Sequence, residues 1–426
     1  MKSFPHNNQL RSLLAFAILC FAAIHLKGGS PPGISLVKTI DLSPGADVYL
    51  PFRLGVNHSS HKLYVPGLAA ADTQFHPLDG GGNGLGLKVI DTTTREAIAG
   101  IALGFYDGGA GSKVPFTPLG IAVDESTDPA GNRIYVLGQV GDERLFLRTI
   151  NGATDTNETG EGTDVLLPVT SLAPYACSVA VNPVNHKVYI STDSGDIVVV
   201  DGPNRTVLTT LLGVAPGGSP VIVPNPDSNK VFVFCFLSVT VVIDSGDDSH
   251  TSFSTDYTAQ DATYDPVSGH IFVVATDNSF FTPELVAVDG ITGTTIISTF
   301  AVPDRSRAIA VDGSSGQVFV GSPYQTLSAI LAGEIAVFAA TDLTVETSYP
   351  IGATKLAFDG PNTGPRLYLV DNDFDVEAPS LRHAVGILDL STGTLTKLTV
   401  GYGQDKLQLI PKRIGFTSLT WRRRKL

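Results

Sequence analysis

VAVNPVNHKVYI at residues 179–190 and IVVVDGPNRTVLTTLLG at residues 197–213 decide the fold of this chain. The first stretch reads as an apolar strand that ends in Asn, a short turn, and a second strand with an aromatic residue at its centre. The second stretch reads as a strand that ends in Asp, an Asx/Gly turn, and a fourth strand. Together they predict four antiparallel strands joined by tight turns.

The first half of this unit occurs seven times along the chain. The copies are LGVNHSSHKLYV (54–65), IAVDESTDPAGNRIYV (121–136), VAVNPVNHKVYI (179–190), VIVPNPDSNKVFV (221–233), ATYDPVSGHIFV (262–273), IAVDGSSGQVFV (309–320) and LAFDGPNTGPRLYL (356–369). Their central aromatic residues are Tyr64, Tyr135, Tyr189, Phe232, Phe272, Phe319 and Tyr368. The shortest intervals between them approach the period of one four-stranded propeller blade. Since radially arranged sheets cover one another's apolar faces, we predict an all-β fold, a seven-bladed β-propeller of four-stranded antiparallel blades.

The unit resembles the YVTN repeat of secreted bacterial propellers, in which an apolar strand, Asn-Pro and a turn precede Lys-x-Tyr-Val and then Val-x-Val-Ile-Asp. The resemblance spans about residues 34 to 400 and is best in residues 179–213. Repeat two (RLFLRTINGATDTNETGEG, 144–162) and repeat six (IAVFAATDLT, 335–344) lack the Asp turn. The resemblance implies a lactonase-like propeller fold, but no single reaction, because many functions are grafted on such folds.

Composition agrees with this fold and narrows the class of partner. Of the 426 residues, 43% are hydrophobic and 16% charged, and the 44 Gly and 27 Pro favour strands joined by tight turns. A formal net charge of -13 argues against nucleic acid as a partner. Cys177 and Cys235 lie in apolar strand patterns, and we interpret them as buried thiols.

Both ends of the chain differ from the repeats. Lys2 and Arg11 precede the apolar run LLAFAILCFAAI (13–24) and GGSPPG (28–33), a pattern typical of a secretory signal peptide. We therefore assign residues 1–30 to the signal peptide, 31–403 to one propeller domain, and 404–426 to a C-terminal extension with a basic end. The mature protein is expected to be secreted or periplasmic, monomeric, and without a membrane span.

The sequence leaves the closure of the ring open. ISLVKTIDL (34–42) resembles a fourth strand without its first three, so it could join the last blade as a clasp. TLTKLTVG (394–401) already fills that place, and KLQLIPKRIGF (406–416) is left over.

Long connections interrupt the repeats, and they concentrate in blades five, six, seven, one and two. They are residues 66–85, 106–118, 151–174, 276–283, 322–333 and 371–383. Connections of this kind emerge around one mouth of a propeller channel, and long structured loops are uncommon without a function. The sequence therefore predicts a binding surface on that face.

Candidate site residues lie mainly in these loops. The candidates for catalysis are His76, His383, Arg53 and Arg307, and the candidates for a metal are Asp371, Asp373, Asp375 and Glu377. The four carboxylates resemble the start of a calcium loop, but Val376 replaces the required Gly and Arg382 the closing Glu, which excludes an EF-hand. No cofactor is predicted, and a divalent cation at a looser site stays open.

Two other groups of polar residues receive structural interpretations. We interpret the histidines at His58, His61, His186 and His270 as exposed residues of the turns between first and second strands. The aspartates that end third strands, Asp91, Asp201, Asp244, Asp289 and Asp389, are expected to cap turns.

Two functions remain compatible with the sequence. The first is a binding scaffold for an extracellular or cell-envelope protein, glycan or small-molecule ligand, held by the long loops of one face. The alternative is a lactonase-like hydrolase or lyase with a metal or acid/base site at the channel mouth. Whether the protein is an enzyme is left open by the sequence.

Overall fold

The computed structural model describes residues 35–41, 49–51, 54–69, 86–109, 112–127, 131–141, 144–170, 177–217, 221–323, 333–360, 364–370 and 384–399. The predicted signal peptide and C-terminal extension lie outside these ranges. Within them, every regular element is a β-strand except a 3₁₀ turn at Pro226–Ser228. None of the described helical residues forms a helix long and apolar enough to cross a membrane.

The strands are numbered in chain order. They are β1 (Ser35–Asp41), β2 (Tyr49–Pro51), β3 (Gly55–Asn57), β4 (Lys62–Ala69), β5 (Gly86–Asp91), β6 (Glu96–Ala102), β7 (Phe105–Gly109), β8 (Ser112–Asp124), β9 (Arg133–Val140), β10 (Arg144–Asn151), β11 (Thr156–Asn157), β12 (Val165–Thr170), β13 (Ser178–Asn182), β14 (Lys187–Ser191), β15 (Ile197–Asp201), β16 (Thr206–Leu211), β17 (Val221–Asn225), β18 (Lys230–Cys235), β19 (Val239–Asp244), β20 (His250–Ser254), β21 (Tyr257–Tyr264), β22 (His270–Asp277), β23 (Pro283–Asp289), β24 (Thr295–Thr299), β25 (Ala308–Asp312), β26 (Gln317–Gly321), β27 (Ile335–Ala339), β28 (Val345–Tyr349), β29 (Lys355–Asp359), β30 (Arg366–Val370), β31 (Ala384–Asp389) and β32 (Thr394–Thr399).

These strands form seven sheets, one for each predicted repeat. Blade 1 contains β2 to β6, blade 2 β7 to β12, blade 3 β13 to β16, blade 4 β17 to β20, blade 5 β21 to β24, blade 6 β25 to β28, and blade 7 β29 to β32 with β1. The inner strands β3, β8, β13, β17, β21, β25 and β29 each contact the next, and β29 contacts β3. The ring is therefore closed, and the predicted seven-bladed propeller is confirmed.

The aromatic residue at the centre of each second strand is the main packing element. All seven side chains are buried, with at most 1% of their surface exposed. Tyr189, for example, lies opposite Ala180 on the first strand and Val199 on the third. Its hydroxyl reaches Ser245 Oγ of the next blade at 2.6 Å, and that of Tyr64 donates to Asp155 Oδ1 at 2.8 Å. In blades 1 and 3 the aromatic therefore also hydrogen-bonds to the next blade.

The two repeats that lack the Asp turn still form complete blades. In blade 2, Asn151 replaces Asp and accepts backbone N–H groups of Ala153 at 2.9 Å and Thr154 at 3.1 Å. The outer part of that blade is divided into β11 and β12, which both pair with β10. In blade 6, Asp342 accepts the N–H of Thr344 at 3.0 Å. Asn151 therefore makes the turn bonds of the Asp in blade 2, whereas Asp342 in blade 6 supports a later bond of its turn.

The seam uses two of the three segments that the sequence left undecided. β32 pairs antiparallel with β31 as the fourth strand of blade 7. β1 adds to the outer side of β32 in parallel, from Ser35 opposite Thr394 to Asp41 opposite Thr399. The N-terminal strand is thus a fifth strand of the last blade and does not take the place of its fourth. Residues 406–416 lie outside the described part of the chain.

Candidate functional site

The ring has two different faces. The turns from first to second strand and from third to fourth strand lie on one side, which we call the turn face. The connections from second to third strand and from blade to blade lie on the other side, which we call the loop face. This division follows from the antiparallel order of four strands in each blade.

Polar side chains on the turn face bind neighbouring blades to one another. The inter-blade ion pairs there are Lys62–Asp155 at 2.8 Å, Arg95–Asp389 at 2.7 Å, Lys187–Asp248 at 2.8 Å and Arg205–Glu158 at 2.7 Å. Arg133 of blade 2 adds a bond to the same Glu158 at 3.0 Å. Side-chain amides contribute as well, since Asn57 donates to Asn132 and Asn182 to Asn229, both at 2.9 Å. Several charged groups of this face therefore join neighbouring blades.

Two turn histidines belong to this network, and for His186 the interpretation as an exposed turn residue was wrong, whereas the side chain of His58 is 43% exposed. His186 is buried, and its Nδ1 lies 2.6 Å from Asp124 Oδ2 of blade 2. His58 lies 2.6 Å from Glu125 Oε1 of blade 2 and 2.9 Å from the Phe358 carbonyl of blade 7. Burial lowers the pKa of His58, but the hydrogen bond and the charge of Glu125 outweigh it and raise the pKa to about 9. The imidazolium therefore joins three blades at neutral pH.

The aspartates that end third strands cap turns, as predicted. Each accepts backbone N–H groups two or three residues further along the chain. The acceptors and donors are Asp91 with Thr93 and Thr94, Asp201 with Asn204, Asp244 with Gly246, Asp289 with Ile291 and Thr292, and Asp389 with Ser391 and Thr392. These carboxylates therefore have a structural role as hydrogen-bond acceptors in turns.

A cavity of about 570 Å³ runs along the axis of the ring. Inner strands of six blades line it, from Ser178 and Lys355 at their loop-face ends to Gly313 and Gly360 in the turn face. Most of its walls are apolar. Small-molecule sites have volumes of about 300 to 1,000 Å³ and combine apolar walls with a few fixed polar groups.

The polar groups of this cavity include an ion pair between two blades that are not neighbours. Lys355 is the first residue of β29 in blade 7, and its Nζ lies 2.9 Å from Asp261 Oδ2 in blade 5. Asp261 follows a bulge in β21, which changes the register of the inner strand at that point. Both side chains are about one-fifth exposed. A charged pair that is accessible from an apolar cavity can bind a polar ligand group of either sign.

Most of the sequence-predicted site residues lie outside the described part of the chain. These are His76, His383, Arg53, Asp371, Asp373, Asp375 and Glu377. Arg307 is described, is exposed, and precedes β25 at its loop-face end, where its N–H donates to the Gly321 carbonyl at 3.0 Å. Among the residues in the described ranges, no three His, Cys, Asp or Glu side chains are grouped so that they could hold a metal ion.

Two predicted loops differ from the expectation. Residues 151–170 begin on the turn face and include β11 and β12 of blade 2, so this segment is not simply a loop of the loop face. Residues 106–118 form an additional hairpin. Within residues 106–118, β7 pairs with the first half of β8, and this hairpin packs onto the interface of blades 1 and 2. Tyr106 and Phe116 are buried there, with the guanidinium of Arg148 4.4 Å from the centre of the Phe116 ring. The residues of this connection that we expected in a binding surface therefore belong in part to the core.

The loop-face end of blade 5 contains a buried carboxyl group, Glu284, whose surroundings disfavour its ionised form. Glu284, at the start of β23, is only 5% exposed. Burial raises its pKa to about 7, and the negative charges of Asp277 and Asp256 act in the same direction.

Glu284→Gln should stabilise the protein at alkaline pH. The folded-state pKa of about 7 exceeds the reference value of 4.5. Ionised Glu284 therefore destabilises the folded state. This effect is fully present above pH 7 and disappears as the pH falls to 4.5, where the carboxyl group of the folded protein is protonated. At about pH 8 the substitution should add about 1 to 3 kcal/mol to the free energy of unfolding. Melting temperatures of both proteins at pH 8 and pH 4.5 test this, and an equal gain at both values would contradict it.

Comparisons with known proteins identify the fold and no closer relationship. No family model and no curated protein sequence matches the chain. Among solved structures, it is similar to hydrazine synthase of Kuenenia stuttgartiensis, with 10% identity, a TM-score of 0.52, and coverage of 84% of this chain and 98% of that one. It is also similar to Raptor of Chaetomium thermophilum, with 10% identity and a TM-score of 0.52, over 80% of this chain and 28% of that one. At this identity the similarity shows a shared β-propeller architecture alone.

Proposed function

We propose that the chain is a secreted, YVTN-type binding scaffold that holds an extracellular or cell-envelope ligand in the central channel and on the surrounding loop face. The observation that supports this most is the unequal use of charged residues. Ion pairs such as Lys187–Asp248 join blades on the turn face, whereas Lys355 and Asp261 pair across the axial cavity. The turn face stabilises the ring, and the cavity offers polar groups to a ligand.

The apolar walls and the ion pair suggest a ligand with a nonpolar body and at least one polar group. Such a group would hydrogen-bond to the side of the Lys355–Asp261 pair that faces the cavity, so that the pair is kept and neither charge is left unpaired. A rigid ring favours this kind of binding, because little conformational entropy is lost when the ligand enters.

Lys355→Gln should weaken ligand binding at least about tenfold, because it removes one of the two charges in the cavity. The probes are soluble glycans, peptidoglycan fragments and short peptides, screened by ligand-observed NMR. Lys187→Gln is the matched control: Lys187 and Asp248 are exposed to the same degree as the channel pair or less, but lie on the turn face. A channel site would be contradicted if Lys355→Gln and Lys187→Gln bound every ligand with equal affinity, or if the screen detected no ligand.

The lactonase-like alternative stays a prediction from the sequence. Metal analysis of the purified protein, followed by lactone hydrolysis with and without a chelator, separates it from the scaffold. A bound metal with chelator-sensitive turnover, lost on alanine substitution of His76 and His383, would replace the scaffold by an enzyme. A scaffold should show no turnover and no response to these two substitutions.

A further inference from the structure

The channel ion pair occupies a position that recurs in the inner strands of blades 2 to 7. This position lies two residues before the residue that pairs with the central aromatic, at the loop-face end of the channel. It holds Lys355 in blade 7 and Asp261 in blade 5, whereas blade 6 between them has Ala308 there. The short side chain of Ala308 leaves room for the two charged groups to meet at 2.9 Å.

The same position holds small residues on the opposite side of the channel. Blades 2 and 3 have Gly120 and Ser178 there, and both residues line the cavity together with the pair. In a closed ring of seven blades, blades 2 and 3 lie across the axis from blades 5 to 7. These small residues leave space in front of the pair, so a ligand group can approach both charges from the channel.

The pair is electrically neutral as a unit, and this limits the groups that it can bind. An ammonium brought to Asp261, or a carboxylate brought to Lys355, would add a third, uncompensated charge in a cavity with mostly apolar walls. An uncharged group that both donates and accepts adds no charge. A carboxamide is such a group, since its N–H donors and its carbonyl acceptor are attached to one carbon. It can donate to the Asp261 carboxylate and accept from Lys355 Nζ at the same time.

Other charged groups around the cavity leave this balance intact. His58 and Asp312 line the opposite, turn-face end, about 13 Å further along the inner strands. His58 is paired with Glu125, and Asp312 accepts the N–H and the hydroxyl of Ser314. Arg307 precedes β25 at the loop-face end, but it is exposed, so water and salt screen its charge.

We infer that the Lys355–Asp261 pair selects ligands with an uncharged donor–acceptor group of the carboxamide class and rejects the corresponding amines and carboxylic acids. The inference rests on the channel site proposed above. It adds the class of polar group that the site recognises and the two residues that determine this preference.

The first test compares matched ligands on the wild-type protein. The probes are naphthalene, adamantane and octane derivatives, each prepared as carboxamide, carboxylic acid and primary amine. Ligand-observed NMR at about pH 7, where the acids and amines are ionised, measures their affinities. In at least one of the three series the carboxamide should bind at least about tenfold more tightly than both charged analogues.

The second test changes the charge of the pair. Lys355→Gln leaves the Asp261 carboxylate without its cation and should make the amine the tightest ligand of the series. Asp261→Asn removes the carboxylate beside Lys355 and should make the carboxylic acid the tightest. The double variant is neutral again and should return to the carboxamide. Lys187→Gln, on the turn face, is the control and should keep the wild-type order, with melting temperatures as the measure of folding.

The possible outcomes separate this inference from the channel site itself. Charged analogues that bind the wild type as tightly as the carboxamide, or single variants that keep the wild-type order, would overturn the inference and leave a channel site in place. The same holds if no carboxamide binds although the wider screen of glycans and peptides finds channel ligands. If neither the probes nor that screen yields a ligand, the channel site and the inference both fail. Should a single variant not fold, the wild-type order of the three analogues still decides.

Discussion

Replacing Arg148 by methionine should lower the free energy of unfolding by about 3 to 5 kcal/mol. Arg148 and Asp164 are almost fully buried at the interface of blades 1 and 2, with Nη2 2.5 Å from Oδ2. Arg148 Nε adds bonds to both Asp164 oxygens, and Nη1 donates to the Leu103 carbonyl. Methionine keeps most of the packing against Phe116 but removes the cation that pairs with Asp164. In this low-dielectric site Asp164 then has, among the described residues, only the hydroxyls of Tyr106 and Thr159.

The matched control for Arg148 is Arg205→Met. Arg205 pairs with Glu158 on the turn face, where its side chain is 34% exposed. Loss of an exposed pair should cost less than about 1 kcal/mol. Chemical denaturation of the two variants measures the difference, and similar losses in both would show that the buried pair has no special importance for the blade interface.

Tyr189→Ala should lower the free energy of unfolding by about 3 to 5 kcal/mol, through the cavity it leaves in the buried core between blades 3 and 4. Tyr189 is fully buried between its own sheet and blade 4. Its hydroxyl reaches Ser245 Oγ at 2.6 Å and donates to Asp248 Oδ1 at 3.3 Å. The substitution removes the ring and the inter-blade bonds together.

Tyr189→Phe separates these two contributions. Phenylalanine occupies the equivalent position in blades 4, 5 and 6, as Phe232, Phe272 and Phe319. The ring alone is therefore sufficient for a blade of this type, and the loss should be about 1 kcal/mol. If Tyr189→Phe destabilised the protein as much as Tyr189→Ala, the hydroxyl and not the ring would hold blades 3 and 4 together.

The sequence predicted the number of blades because its strongest signal is local. An aromatic at the centre of a strand, flanked by Asx turns, repeats with each blade, and every copy takes the same place, from Tyr64 to Tyr368. The strand order within a blade follows from the short turns. The sequence indicated that β1 could join the last blade, but not that it would lie outside β32, because no connecting turn fixes the pairing of these two strands.

The candidate sites could be predicted less well, because they depend on contacts between blades. Lys355 and Asp261 meet across the axis from two separate repeats, and no spacing in the sequence indicates that. His186 reads as an exposed turn residue until the neighbouring blade brings Asp124 to it.

The pairing of β1 with β32 also affects how the chain is synthesised. β1 is made before the other strands of the ring and β32 after them, so the seam cannot form until all seven blades have been synthesised. Until then, the first and last blades expose strand edges that proteases and other chains can reach. Early termination before residue 394 would remove the partner of β1 and open both edges at once. We therefore expect truncated products to be degraded, and only the full chain to persist as a ring.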